Sequence, residues 1–299
     1  MDVSVIVSTR NRARRLEETL RFYDRVASPA RWELLLVDNG STDDTPDVIA
    51  AAVARGTAPI VALREERRGV SSAKNLAIAR AGGRIVCFTD DDCYPAPSFI
   101  DAWLHVFDRS ALDFAGGRIT LFDPTDAPMT IKPELQPFLF APRAYIPPGF
   151  IHGANMAYRR AVLDRVGPFD VLFGPGGRYY SGDDTDYFQR ASNAGFAGGY
   201  RSEPVVAHHH GRKPDETGTI SRDYEVCRGA FYAKTLLLNP GCMGRYFWAW
   251  ARSFPNFLAF LKGVYWAQRR DLGRRVWNVG RGMGMYWLDV ATGRARPRG

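Results

Sequence analysis

Three aspartates in a row, Asp90-Asp91-Asp92, follow directly on an apolar run at residues 84–89 (RIVCFT). Carboxylates packed this closely repel one another unless a cation joins them. Mg2+ or Mn2+ is the natural partner, since hard divalent ions take carboxylate oxygens and are shared with diphosphates. An acidic triplet is also at home in a solvated turn. What argues for a ligand site is its place just past a buried strand, the edge at which open α/β sheets bind ligands.

Three further clusters accompany the triplet. Asp38-Asn39-Gly40-Ser41 ends another apolar run, and offers either a plain turn or a carboxylate that accepts a hydrogen bond from a nucleobase N–H. Gly182-Asp183-Asp184 opens a helix. Acids there complement the helix dipole, or supply a general base to an acceptor hydroxyl. His208-His209-His210 ends a strand, with His208 and His210 on one face and His209 on the other. One of them can ligate a metal, and the residues alone leave open which.

The elements that must position these groups follow from the apolar pattern. Residues 3–7 (VSVIV), 32–37 (WELLLV) and 84–89 read as buried strands, and 60–64 as a further short strand. Helical spacing occupies residues 14–25, 47–54 and 71–81 between them. Strand–helix alternation of this kind predicts a parallel sheet with right-handed crossovers. Further on, the pattern predicts a helix at 99–107, an exposed strand at 113–121 and a proline-rich irregular segment at 124–148. A strand at 153–158, a short helix at 159–166, a helix at 183–195, a strand at 200–208 and a helix at 224–237 complete it. The expected fold is α/β: a mainly parallel sheet flanked by helices, with a C-terminal helical extension. Residues 1–222 would form the catalytic domain and 223–299 the extension.

The composition, 45% hydrophobic and 24% charged over 299 residues, excludes a disordered chain. Of the formal net charge of +8, +7 lies from Lys262 onward, where nine basic residues meet only Asp271 and Asp289. Together with the aromatics between Tyr246 and Trp266, this predicts an amphipathic segment on an anionic membrane surface. A helix packed on the catalytic domain with a solvated basic end is the simpler alternative. Nucleic acid is disfavoured because no binding motif accompanies the charge. The four cysteines form no CxxC or zinc spacing and are expected as free thiols. With no basic leader and no 18-residue apolar run, the expectation is a cytoplasmic protein able to rest on the inner face of the plasma membrane.

Taken in order, five segments resemble the family 2 inverting glycosyltransferases, which have the GT-A fold. They are Val5-Ile6-Val7-Ser8-Thr9-Arg10-Asn11-Arg12, Val37-Asp38-Asn39-Gly40-Ser41-Thr42-Asp43, Gly69-Val70-Ser71-Ser72-Ala73-Lys74-Asn75-Leu76-Ala77, Gly153-Ala154-Asn155-Met156-Ala157-Tyr158-Arg159 and Gly182-Asp183-Asp184-Thr185-Asp186-Tyr187. The resemblance runs over residues 3–210. It implies that Thr9, Arg10 and Asp38 surround the nucleobase, with Lys74 near the nucleotide. Asp90 would approach the ribose, Asp91 the donor sugar or a metal-bound water, and Asp92 the metal itself. Asp184 matches the catalytic base with Asp183 beside it, His208 completes the metal site, and Gly153 and Asn155 belong to the acceptor side. Asp183 stands where Glu is usual and Lys74 where Arg is more usual.

The activity implied is metal-dependent transfer of a sugar, with inversion, from a nucleotide-sugar (UDP- or dTDP-linked, with GDP open) to a hydroxyl of a saccharide or lipid-linked acceptor in cell-envelope polysaccharide or glycolipid synthesis. Two other readings remain at this point. A nucleotidyltransferase on a sugar phosphate uses similar groups, but lacks support from any glycine-rich phosphate loop after Val7. A non-catalytic membrane-surface or sugar-binding module would place the function in the tail.

Overall fold

The computed structural model describes residues 1–216, 218–242, 244 and 269–296. The four apolar runs become strands β1 (Val3–Thr9), β2 (Trp32–Asp38), β3 (Ile60–Arg64) and β4 (Ile85–Asp90). Helices α1 (Ala13–Tyr23), α2 (Thr45–Arg55) and α3 (Val70–Ile78) connect them. The strands pair in parallel in the order β3-β2-β1-β4. β1, β2 and β4 are apolar without alternation because helices cover both faces, whereas β3 is an edge strand with Val61 40% exposed. Val5, Leu34, Leu36 and Cys87 pack on one side with Leu16 and Leu20 of α1. Ile6, Leu35, Val37, Val86 and Phe88 pack on the other with Ala73 and Ala77 of α3.

Past β4 come β5 (Cys93–Pro95), α4 (Phe99–Arg109), β6 (Phe114–Leu121), β7 (Phe138–Phe140), β8 (Asn155–Arg159), α5 (Arg160–Val166), α6 (Asp183–Asn193) and β9 (Gly198–His208). The sheet continues β4-β8-β6-β9-β5, with β7 also on β9. Here the pairing is mixed: β8 is antiparallel to β4 and β6, β6 is parallel to β9, and β5 and β7 are antiparallel to β9. The sheet is therefore parallel through its first four strands and mixed as a whole. The strand expected to be exposed at 113–121 lies inside the sheet, and Phe114, Ala115 and Ile119 are fully buried. Strands on both its edges account for the difference.

Helices α7 (Gly218–Leu238) and α8 (Arg269–Ala291) pack against each other and onto the loop before α6, through Cys227, Phe231 and Tyr286 against Phe173 and Tyr179. The two helices approach closely at Gly229 and Gly282. A Cβ on either would run into the partner helix's backbone, at Val279 and Val226 respectively. The aromatic stretch between Tyr246 and Trp266 lies outside the described residues. Among the described residues no helix is long and apolar enough to cross a membrane.

Candidate active site

Strand register assembles the site. Parallel pairing sets Thr9 opposite Asp38 and Ser8 opposite Asp90, so the carboxyl ends of β1, β2 and β4 share one edge. Antiparallel pairing of β5 with β9 sets Cys93 opposite His208, and His209 N–H donates to the Asp92 carbonyl at 2.8 Å. A cleft of about 700 Å³ opens over this edge. Thr9, Arg10, Lys74 and all three aspartates line one part of it, and Gly153, Asp183, Asp184 and His208 line the rest.

Asp91 and Asp92 are almost out of water, and Asp90 is partly buried. Thr9 Oγ1 donates to Asp91 Oδ2 at 2.6 Å. Arg12 spans the pair beside it, 3.3 Å from Asp91 Oδ1 and 2.7 Å from Asp92 Oδ2. His208 Nε2 lies 3.3 Å from Asp92 Oδ1. Burial pushes the Asp91 carboxyl up to about 7 against the pull of Arg12. Burial and the neighbouring Asp92 also raise Asp90. For Asp92 burial acts in the same direction, but His208 and Arg12 outweigh it and hold the carboxyl well below the usual range.

The donor set fits a hard divalent ion. Asp90, Asp92, Cys93 and His208 each bring a ligand atom within 4.8 Å of the others. The 3.3 Å between Asp92 Oδ1 and His208 Nε2 approaches the ~3 Å separating adjacent ligands of a six-coordinate ion with bonds of 2.0–2.1 Å. The second ring nitrogen, Nδ1, is buried with no well-formed hydrogen bond. Burial holds the Cys93 thiol protonated, which leaves the carboxylates and the imidazole as the natural ligands. The other two histidines are engaged elsewhere: His209 Nδ1 meets Tyr94 OH at 2.8 Å, and His210 bridges Ala127 O and Arg212 N–H.

The second acidic pair is built differently. Gly182, at φ +79°, opens α6 in a left-handed conformation, and a Cβ there would collide with Cys227 Sγ. Asp183 forms a buried ion pair with Lys74, Nζ to Oδ2 at 2.6 Å. Burial opposes the Lys74 charge, but Asp183 and Asp90 outweigh it and raise the ammonium above its ordinary value. Asp184 accepts from Gly153 N–H at 2.8 Å and Thr185 N–H at 2.6 Å. Burial first, then Asp183, raises its carboxyl to about 6.

Two anticipated residues do not line the cleft. Asp38 is buried and accepts from Arg64 at 2.6 Å and from Ser41 N–H at 2.8 Å. Asn155 lies within the sheet, and its amide holds the carbonyls of Arg118 and Pro204. Beside Asp38, Asn39 does reach the cleft. It ties β2 to the loop before α3 through Glu65 O, Arg67 O and Gly69 N–H.

The profile of Glycosyl transferase family 2 matches residues 4–167, just over half of the chain. The chain belongs to that family. Glycosyltransferase AglE of Haloferax volcanii is 23% identical over 207 residues, 69% of this chain and 66% of that protein. The chain spans between 55% and 66% of the length of the leading curated relatives. Its fold is that of GT-A structures: the mannosyltransferase PcManGT from Pyrobaculum calidifontis, in complex with GDP-Man and Mn2+, superposes with a TM-score of 0.58 at 20% identity, covering 97% of this chain and 86% of that one. S. aureus TarS 1-349 in complex with UDP-GlcNAc superposes with a TM-score of 0.61 at 17% identity, covering 96% and 84%.

Several lining residues of this family 2 chain carry no signal in its motifs. Arg12 stands inside a quoted segment, yet only the structure turns it onto Asp91 and Asp92. His152 adjoins Gly153, and burial lowers its imidazole to about 4, so it faces the cleft neutral. Tyr180, Tyr224 and Arg228 come from a loop and a helix beyond the segment that the family profile matches.

Proposed function

We propose that the chain is an inverting glycosyltransferase, which takes a sugar from a nucleoside-diphosphate sugar. The observation that carries this reading is the meeting of two acidic clusters in one cleft, Asp90-Asp91-Asp92 crowded at the sheet edge and Asp183-Asp184 at the start of α6. Asp92 and His208 would hold Mn2+ or Mg2+, with Asp90 towards the ribose and Asp91 towards the donor sugar. Thr9, Arg10 and Lys74 would border the nucleotide. Asp38 acts through the turn it braces. Gly153 stands on the acceptor side and presents its N–H to Asp184, while Asn155 supports the sheet behind it. A bound divalent ion supplies charge neutralisation for a leaving diphosphate.

The remaining chemistry belongs to the protein. Asp184, held by two backbone N–H groups, takes the proton of an acceptor hydroxyl as its oxygen bonds to the anomeric carbon. The bond from that carbon to the donor phosphate oxygen breaks on the opposite side, which inverts the configuration. Lys74 holds Asp183 in place beside the base. The panel to test is UDP- and dTDP-sugars first and GDP-sugars next; TarS is seen with UDP-GlcNAc and PcManGT with GDP-Man. Incubation with each donor and Mn2+ should release the nucleoside diphosphate. Release of pyrophosphate instead would establish a nucleotidyltransferase, and nucleotide binding that ignores Mn2+ would favour a non-catalytic module.

The catalytic domain is taken as residues 1–222 and the extension as 223–299. Because α7 runs across that boundary, the extension contributes to the cleft wall as well. On α8, Val276, Trp277, Trp287 and Leu288 are 63%, 74%, 46% and 57% exposed. Eleven residues make three helical turns, so these four share one face. Arg274, Arg275 and Arg281 are exposed on the same helix. We assign this face to an anionic membrane surface, where tryptophan settles among headgroups and arginine meets lipid phosphate. The setting proposed is envelope polysaccharide or glycolipid assembly at the cytoplasmic side of the plasma membrane.

A further inference from the structure

One wall of the cleft carries none of the residues assigned above to the donor. It is a single face of α7: Tyr224, Cys227, Arg228 and Phe231, spaced i, i+3, i+4 and i+7, all line the cavity. This face is fixed beside the base. Cys227 Sγ donates to the Ser181 carbonyl at 2.9 Å, three residues before Asp184. Cys227 and Phe231 are buried, while Tyr224 is 41% exposed and Arg228 is exposed.

Tyr180 lies on the same cleft, 52% exposed. Its φ is +65°, a conformation that costs a bulky residue energy and recurs where function holds it in place. Two open aromatic rings on this cleft offer flat apolar faces suited to the C–H side of a pyranose. Arg228 has no hydrogen bond or ion pair from its guanidinium among the described residues, and Asp223 on the same helix makes no ion pair with it. An unpaired guanidinium in a cleft wall recognises carboxylate or phosphate oxygens in a forked geometry.

Resting on the glycosyltransferase reading above, we infer that the acceptor is a saccharide carrying an anionic group. Its ring lies on Tyr180 and Tyr224, its negative group on Arg228, and its attacking hydroxyl at Asp184. The shared chemistry is an oxyanion next to a sugar ring, which a uronic acid or a phosphate-linked sugar can supply.

The test uses the full chain loaded with UDP and Mn2+, titrated with three probes. These are a glucuronate-terminated disaccharide, glucose 1-phosphate joined to a farnesyl phosphate, and a neutral glucose disaccharide. The wild type should bind one or both anionic probes about tenfold more tightly than the neutral one, the worth of one charge-assisted hydrogen bond. Whichever anionic probe binds identifies the source of the charge. Arg228→Gln should erase that preference and Arg228→Lys restore part of it, with UDP affinity and unfolding midpoint within twofold and a few degrees of wild type. Tyr224→Ala should weaken all probes together.

Equal binding of neutral and anionic probes, or no binding of either anionic probe, overturns the inference. So does an Arg228→Gln variant that loses UDP as strongly as probe, which would make Arg228 a donor contact. The broader reading fails separately, through absence of nucleoside diphosphate release from every donor.

Discussion

The two acidic clusters of this cleft have similar composition and opposite surroundings. At the sheet edge, Asp91 and Asp92 touch Arg12 and Asp92 also meets His208, and two of the three carboxylates, Asp90 and Asp91, are pushed towards the neutral form. At the start of α6, Asp183 pairs directly with Lys74, whose charge also reaches Asp90, and Asp184 rests on two backbone N–H groups. The first cluster gathers ligand atoms of Asp90, Asp92 and His208 within 4.8 Å of one another; in the second each carboxylate has a direct partner, and that of Asp184 is raised to about 6. Identical residue types thus divide into a cation site and a proton site, and the neighbours decide which is which.

The sharpest way to break this comparison is at the base. Asp184→Asn keeps the shape and removes the proton acceptor, so transfer should fall by roughly 10²–10⁴-fold; a steady-state assay of nucleoside diphosphate release at saturating donor reads it, and near-normal turnover would dismiss Asp184. Next is the balancing charge. Lys74→Met leaves Asp183 buried without its partner, which should cost about 3–5 kcal/mol in urea unfolding. A loss under 1 kcal/mol would mean that water already solvates the pair.

At the sheet edge, His208→Gln should weaken Mn2+ binding more than about tenfold, since even outer-shell partners of a ligand matter by 10–100-fold. Calorimetry on the protein without nucleotide measures this, and an unchanged affinity would remove His208 from the site. The pH profile separates the clusters in a gentler way. The raised carboxyl of Asp184 accepts a proton from the acceptor only when ionised, so kcat/KM should climb about tenfold per pH unit up to about 6 and then level off. A profile flat down to pH 4 would contradict that assignment. The smallest effect belongs to α8: replacing both Trp277 and Trp287 with Ser should lower sedimentation with phosphatidylglycerol vesicles severalfold while leaving the unfolding midpoint unchanged, because both rings are exposed. Undiminished binding would move the membrane contact away from this face.

Much of this was legible in the sequence where the signal is local. Uninterrupted apolar runs mark β1, β2 and β4 because each is covered on both faces, and the aspartates could be placed from the end of the run alone. Pairing between distant strands was not legible. That β8 enters between β4 and β6, burying a strand expected to be exposed, depends on contacts between segments some 40 residues or more apart. The three-residue strands β5 and β7 are too short to show a period, although β5 is what carries His208 to Asp92.

Among site residues, those in acidic or histidine clusters stood out. Single residues did not: Arg12, Tyr224 and Arg228 gain meaning only from what they face. Motif membership does not by itself place a side chain on the cleft. Asp38 and Asn155 sit in motif segments, yet the fold turns one onto Arg64 and the other into the sheet.

The division between cation site and proton site is tested most directly by binding rather than turnover. Titrate the nucleoside diphosphate that wild type binds best into wild type, Asp92→Asn and Asp184→Asn, each with Mn2+ and with EDTA. The account predicts Mn2+-dependent binding in wild type and in Asp184→Asn at similar affinity, and loss of the Mn2+ dependence in Asp92→Asn. Loss of the Mn2+ dependence in Asp184→Asn, or its survival in Asp92→Asn, would contradict it.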